Sequence, residues 1–371
     1  MNRKKGLFLL FLALWGYFAP TALLYAQSQP AASPALTDAE KKGIMGRELI
    51  FHRKYDEAIA YFKKLEQEDP NSVLGSFGQM AVWQSRMFEN YDFRFDKEFQ
   101  EVSERNKALV QKILDQKDAS AWELFLSGAS AGLRAFYLMR RDSPFKALGE
   151  SSKSHKALER ALEKDPSFKD VYLGLGMYDF WRSVFTNRIK ILPFFSDKRA
   201  EGLAQIEKSY REGRVVGALS AASMAFCFYE QRNAAKAIPY LQDILKSYPE
   251  NVIAKNLLAD FYILQARYPE AHALLDGMLK TTPEVITPKF MKGYAYYREG
   301  NYPEARRFYE DFLASHPSEA WISYALTDLG RIDLKEGKEN DAYEKFKKAY
   351  RTYPDNSAPL KELNKLRGRR W

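Results

Sequence analysis

Cysteine and histidine are scarce in this chain: Cys227 is the single cysteine among 371 residues, and there are only four histidines. One cysteine excludes an intramolecular disulfide, so stability has to come from packing alone. Flanked by Ala225, Phe226 and Phe228, Cys227 reads as a small buried residue rather than a reactive thiol. The histidines, His52, His155, His272 and His316, are scattered without metal-ligand spacing. No His-Glu-x-x-His, phosphate loop or Gly-x-Ser-x-Gly elbow occurs. The expectation is therefore no enzyme: no catalytic residue, no cofactor and no metal. Acidic pairs such as Asp56-Glu57 read as solvated helix faces.

Charge of one sign is also modest. Of the formal +9, three charges are Arg3, Lys4 and Lys5, which leaves +6 for the rest, too diffuse to argue a nucleic-acid partner. What the chain does have is 46% hydrophobic and 15% aromatic residues, enough to bury a large core. The basic start, the apolar run Leu7 to Leu24 and the ending Leu24-Tyr25-Ala26 have the form of a secretory leader, residues 1–26, with cleavage expected after Ala26. An uncleaved anchor is the rival reading, since the run approaches the roughly 17 residues that span a bilayer. Export to the periplasm or exterior is expected either way, with membrane association if the leader stays. Residues 27–36 read as a flexible linker.

Beyond the leader a period is plain. Pro249, Pro283 and Pro317 stand 34 residues apart and Pro354 follows after 37, with Ala237, Ala271, Ala305 and Ala342 in the same register. A two-helix unit needs such a small residue where its helices cross, an apolar or aromatic residue one turn later, and a proline that stops the second helix. Ala342, Phe346, Ala349 and Pro354 supply that order after Leu329-Gly330 and Gly337. Ala305, Tyr309 and Pro317 repeat it after Gly293, Tyr296 and Gly300, and Gly46, Tyr55, Ala58, Phe62 and Pro70 match near the N-terminus. This pattern resembles the tetratricopeptide repeat family. The expected fold is all-α: a right-handed superhelical solenoid of antiparallel helix pairs, about eight repeats, with Ser357 to Trp371 as a capping helix and basic tail. That tail reads as a solvated cap or as a contact for anionic lipid or wall polymer.

The middle departs from the period. Pro70 to Asp118 and Asp118 to Pro166 are each 48 residues, and Pro166 to Pro249 is 83, so three units are longer by roughly 14 residues than the family's repeat. The chain thus divides into N-terminal repeats over 37–215, one short and three elongated, standard repeats over 216–354 and a cap over 355–371. In two elongated units the extra residues are expected between the helices, at 139–146 and 187–199. Each would place a basic cluster beside a Pro-Phe step: Arg140, Arg141 and Phe145 in one, and Arg188, Lys190, Phe194, Phe195, Lys198 and Arg199 in the other. These phenylalanines either plug the repeat stack or form a docking surface for an anionic membrane. The stretch Tyr172 to Glu207, with Leu173-Gly174-Leu175-Gly176, Leu192-Pro193-Phe194-Phe195 and Asp197-Lys198-Arg199, also resembles the tetratricopeptide repeat protein 39 and inclusion-body-clearance family. That likeness implies a non-enzymatic adaptor.

The tetratricopeptide resemblance implies that first helices line a concave groove. Carried onto this register, the groove residues are Phe226 and Tyr229, then Asn256, Asp260 and Ile263, then Phe290, Tyr294 and Tyr297, and finally Tyr324, Thr327 and Arg331. The Lys/Asn clamp that some family members use for a terminal carboxylate is not reproduced, because Thr287 and Phe290 stand where it would be. Such an aromatic groove suits an extended peptide or partner helix, while the alternative is that the same rings pack between helices. The expected function is a protein-binding scaffold in the cell envelope. A membrane-peripheral adaptor docking through 139–146 and 187–199 is the alternative.

Overall fold

A computed structural model describes residues 35–189 and 196–369. The leader, Lys190, Phe194 and Phe195 lie outside the described residues, as do the side chains of Arg188 and Arg369. Every regular element among the described residues is a helix, and they run in consecutive pairs. The pairs are α1 Asp38–Phe51 with α2 Tyr55–Glu68, α3 Val73–Glu89 with α4 Asp96–Leu114, α5 Ala121–Arg140 with α6 Pro144–Lys164, and α7 Val171–Ile189 with α8 Arg199–Glu212. Four more follow: α9 Gly217–Glu230 with α10 Ala234–Ser247, α11 Val252–Leu264 with α12 Tyr268–Thr281, α13 Thr287–Glu299 with α14 Tyr302–Ala314, and α15 Glu319–Lys335 with α16 Glu339–Thr352. α17, Ala358–Arg369, closes the series. Eight pairs and a final helix match the architecture read from the period. The helices fall into two compact units, Ala31–Leu258 and Ala259–Trp371, divided inside α11.

Local chemistry explains the boundaries. Thr37 with Glu40 and Ser120 with Glu123 form reciprocal capping boxes that satisfy the first amides of α1 and α5. Pro249, Pro283, Pro317 and Pro354 fall just past α10, α12, α14 and α16, where a residue without an amide proton cannot continue a helix. Between the helices of a pair the chain reverses on a left-handed residue: Arg232, Ala266 and Gly300, at φ 55°, 57° and 88°, share one register. Ala266 ends α11 in a Schellman-type turn, with Arg267 N donating to Tyr262 O at 2.8 Å. Because this conformation costs an L-residue roughly 1–2 kcal/mol, Ala266→Gly is expected to stabilise the protein by about 1 kcal/mol. A higher urea midpoint at unchanged m-value is the readout; an unchanged or lower midpoint would refute it.

The elongated repeats correct one expectation. Residues 139–146 are not an inserted loop: α5 runs to Arg140, α6 begins at Pro144, and only 141–143 lie between them. The additional residues lengthen helices instead, giving 19 to α4, 20 to α5 and 21 to α6 against 13 or 14 in each helix from α9 to α14. Asp142, at φ 54°, reverses the chain in so little space.

Packing within a pair follows a small-on-large rule. Phe62 of α2, 3% exposed, sits against Gly46 and Gly78, where an added Cβ would stand 2.1 Å from the ring in either case. Gly293 against Tyr309 and Gly330 against Phe346 repeat the arrangement. Phe346 and Ala342 are then covered by Leu363 and Leu366 of α17, so the last helix shields the final pair.

Candidate functional site

In the unit 31–258 the first helix is tied to residues far along the chain. Glu40 pairs with Arg214 at 2.9 Å, Glu48 accepts from the Tyr248 hydroxyl at 2.8 Å across 200 positions, His52 meets Glu250, and Arg47 donates to Val215 O. The odd-numbered helices of this unit also touch one another. Phe88 of α3 lies 5.5 Å from Phe136 of α5 and 5.3 Å from Phe226 of α9, and Asn256, 1% exposed, donates to Glu89 O at 3.0 Å. Asn256 is thus a correction to the expected groove, buried against α3, while Phe226 is half-buried with one side of its ring on Phe88. Tyr229 is half-buried on α9.

The unit 259–371 offers a different face. On α13, Phe290, Tyr294, Tyr297 and Arg298 form one stripe, and on α15 Trp321, Tyr324, Asp328 and Arg331 form another. Phe290 stacks obliquely on Trp321 at 4.6 Å and meets Tyr309 and Phe312 at 5.3 Å each, so much of that ring is packing. Tyr294 is a further correction: it is 6% exposed, its hydroxyl accepts from Arg298 at 2.8 Å, and burial raises its pKa. Tyr297, Tyr324, Trp321 and Arg331 remain half-buried, and Arg298 is exposed. Arg331 bridges Asp328 at 2.9 Å and Glu362 of α17 at 3.2 Å. Tyr309 also donates to Asp328 at 2.9 Å, and burial raises the pKa of this carboxyl despite both partners. Asp260 is half-buried on α11, while Ile263 and Thr327 are buried. Trp321 and Arg298 were missed in the sequence, although each sits three or four positions from a predicted groove residue on the same helix.

The basic-aromatic surface at 139–146 is reshaped. Arg140 is no surface residue: its guanidinium lies over Phe88 and Phe93 at 5.2 and 4.8 Å and donates to Asp92 O at 2.9 Å, and burial pulls its pKa down to about 10. Arg141 sits over Phe93 at 4.7 Å. Phe145, 79% exposed, points to solvent and plugs nothing. Near 199, Arg199 holds Asp197 at 2.6 Å and draws that carboxyl to about 2, while the Lys198 amide donates to Ser183 Oγ at 2.9 Å.

Chemistry finds little purchase. Burial pushes the Cys227 thiol pKa up, and no group of three or more His, Cys, Asp and Glu side chains among the described residues could hold a metal ion. No helix among the described residues is long and apolar enough to cross a membrane.

Residues 228–286 and 290–357 match two profiles of the tetratricopeptide repeat. No curated protein matches the sequence. Among solved structures, the chain is similar to one in the APC/C hetero-tetramer Cut9–Hcn1, with TM-score 0.58 and 12% identity over 89% of this chain, which spans 57% of that one. It also matches a tetratricopeptide repeat protein from Parabacteroides merdae ATCC 43184 (TM-score 0.47, 16% identity, 78% of this chain and 98% of that). A third match is the human IFIT1 dimer with PPP-AAAA (0.48, 16%, 81% and 69%). These likenesses concern the fold alone.

Proposed function

The chain is a tetratricopeptide repeat protein, and from that premise we propose that it is a non-catalytic scaffold whose 259–371 unit takes an extended peptide or partner helix across α13 and α15. The observation that carries this reading is the half-buried row Tyr297, Trp321, Tyr324 and Arg331. The three aromatic side chains combine large apolar area with polar ends and few rotatable bonds, and with an arginine beside them they have the composition of binding hot spots. Buried Tyr294 and half-buried Phe290, which packs on Trp321, Tyr309 and Phe312, hold the row in place. Export through the leader at 1–26 puts the scaffold in the cell envelope.

Tyr297→Ala/Tyr324→Ala is expected to cut partner recovery in a pull-down at least ~10-fold, since a lost hot spot costs about 2 kcal/mol or more, with helical content unchanged. Recovery equal to the parent's would remove this face from the function. N-terminal sequencing of the exported product is expected to begin at Gln27, and an intact Met1 would sink the cleaved form.

A further inference from the structure

The chain's positive charge is concentrated at one end. Residues 343–371 hold nine Lys and Arg against three Asp and Glu, a surplus of six; with the three charges of Arg3, Lys4 and Lys5 this accounts for the whole +9, so residues 27–342 sum to zero. Three of these cations have acidic partners, Lys345 with Asp333, Lys347 with Glu344, and Lys365 with Glu362, which it shares with Arg331, so the surplus outlasts the pairing. α17 spends its apolar side on Phe346 through Leu363 and Leu366. Its opposite side, with Lys361 and Lys365, is exposed, as are Arg367 on its flank and Lys348 and Arg351 on α16. Leu360 stands 36% exposed beside Lys361.

We infer that this basic side of α16 and α17 docks onto an anionic lipid bilayer. A face of long cationic side chains suits a sheet of anionic headgroups, and Leu360 can enter the interface. Single-stranded nucleic acid is the weaker fit, because its binding draws on open rings for base stacking, whereas Tyr343, Tyr350 and Tyr353 beside these side chains are half-buried. This side meets the α13–α15 row at Glu362, which pairs with both Arg331 and Lys365, but the inference uses none of that row's aromatic side chains and so does not rest on the peptide-binding reading.

The test is cosedimentation of the chain beginning at Gln27, which removes the apolar Leu7–Leu24 run. It uses mixed phosphatidylglycerol–phosphatidylcholine vesicles and pure phosphatidylcholine vesicles. Binding is expected on the anionic vesicles alone, fading as salt shortens the screening length. Each basic residue near such a surface contributes roughly fivefold, so Lys361→Gln/Lys365→Gln is expected to weaken binding about 25-fold. Lys97→Gln/Lys107→Gln, on α4, should leave it unchanged. Circular dichroism of each variant should match the parent, since all four lysines are exposed. Equal binding to neutral vesicles, no binding to anionic ones, or a Lys361/Lys365 variant within twofold of the parent would each overturn the inference. So would single-stranded nucleic acid binding that the variant weakens while vesicles are ignored.

Discussion

Gly176→Val is expected to destabilise the protein by about 3 kcal/mol or more. Gly176 of α7 and Gly202 of α8 face each other where the two helices cross. A Cβ on Gly176 would lie 2.4 Å from Gly202 O and 2.8 Å from Ile206 Cγ1, and one on Gly202 would lie 2.6 Å from Gly176 O and 2.8 Å from Phe180 N. The obstacles include backbone atoms of a helix, which cannot rotate aside as the end of a flexible side chain can. Valine must therefore push α8 away from α7, opening contacts around Ile206 and Phe180, both fully buried. The gain from removing a helical glycine is only about 1 kcal/mol and does not offset that. Gly277, in α12 with nothing within 4 Å of an added Cβ, is the control: Gly277→Ala is expected to raise stability by about 1 kcal/mol. Urea unfolding of both variants separates the two effects, and a Gly176→Val midpoint equal to the parent's would contradict the crossing geometry.

The same contrast marks what could be read in the sequence. Proline stops and small residues repeat with the hairpin, because each discharges a local duty within its own 34 residues, so the pairs and the final helix are legible. Arg140 is not legible. Its neighbours Arg141, Asp142 and Ser143 read as a polar loop, yet its environment is set by Phe88, Phe93 and Asp92 O from α3 and the segment after it. Asn256 fails for a related reason: helical periodicity tells which face of a helix it and Phe226 occupy, not that α3, some 140 to 170 positions earlier, stands beside them. Tyr297 and Tyr324 stay half-buried, while Phe290 turns to packing on Trp321 and Tyr294 to Arg298, a division that periodicity along one helix does not give. The charge surplus of 343–371 can be counted in the sequence, but which side of α17 packs, through Leu363 and Leu366, and which leaves Lys361 and Lys365 exposed is read from the structure.

Asp170→Ala is expected to cost about 4 kcal/mol, because this carboxylate does work that no periodic pattern reveals. Fully buried in the turn between α6 and α7, it accepts from the amides of Arg214 at 3.0 Å, Val215 at 2.7 Å and Val216 at 2.9 Å. Those amides lead into α9, whose cap residue Val216 has no side-chain acceptor of its own. Alanine would leave three donors without their acceptor, two of them in residues that are themselves buried, each costing roughly 1–3 kcal/mol. Asn would keep an oxygen for Val215 and Val216 and lose only the bond to Arg214, so Asp170→Asn should cost less than half as much. The same turn carries the ties to the first helix, Arg214 to Glu40 and Val215 O to Arg47, so its release should also free α1. Hydrogen exchange gives the distinguishing readout: in Asp170→Ala the Val215 and Val216 amides and those of α1 should lose protection together, while α5 and α6 keep theirs. Loss confined to the 214–216 turn would show that α1 is held independently of Asp170.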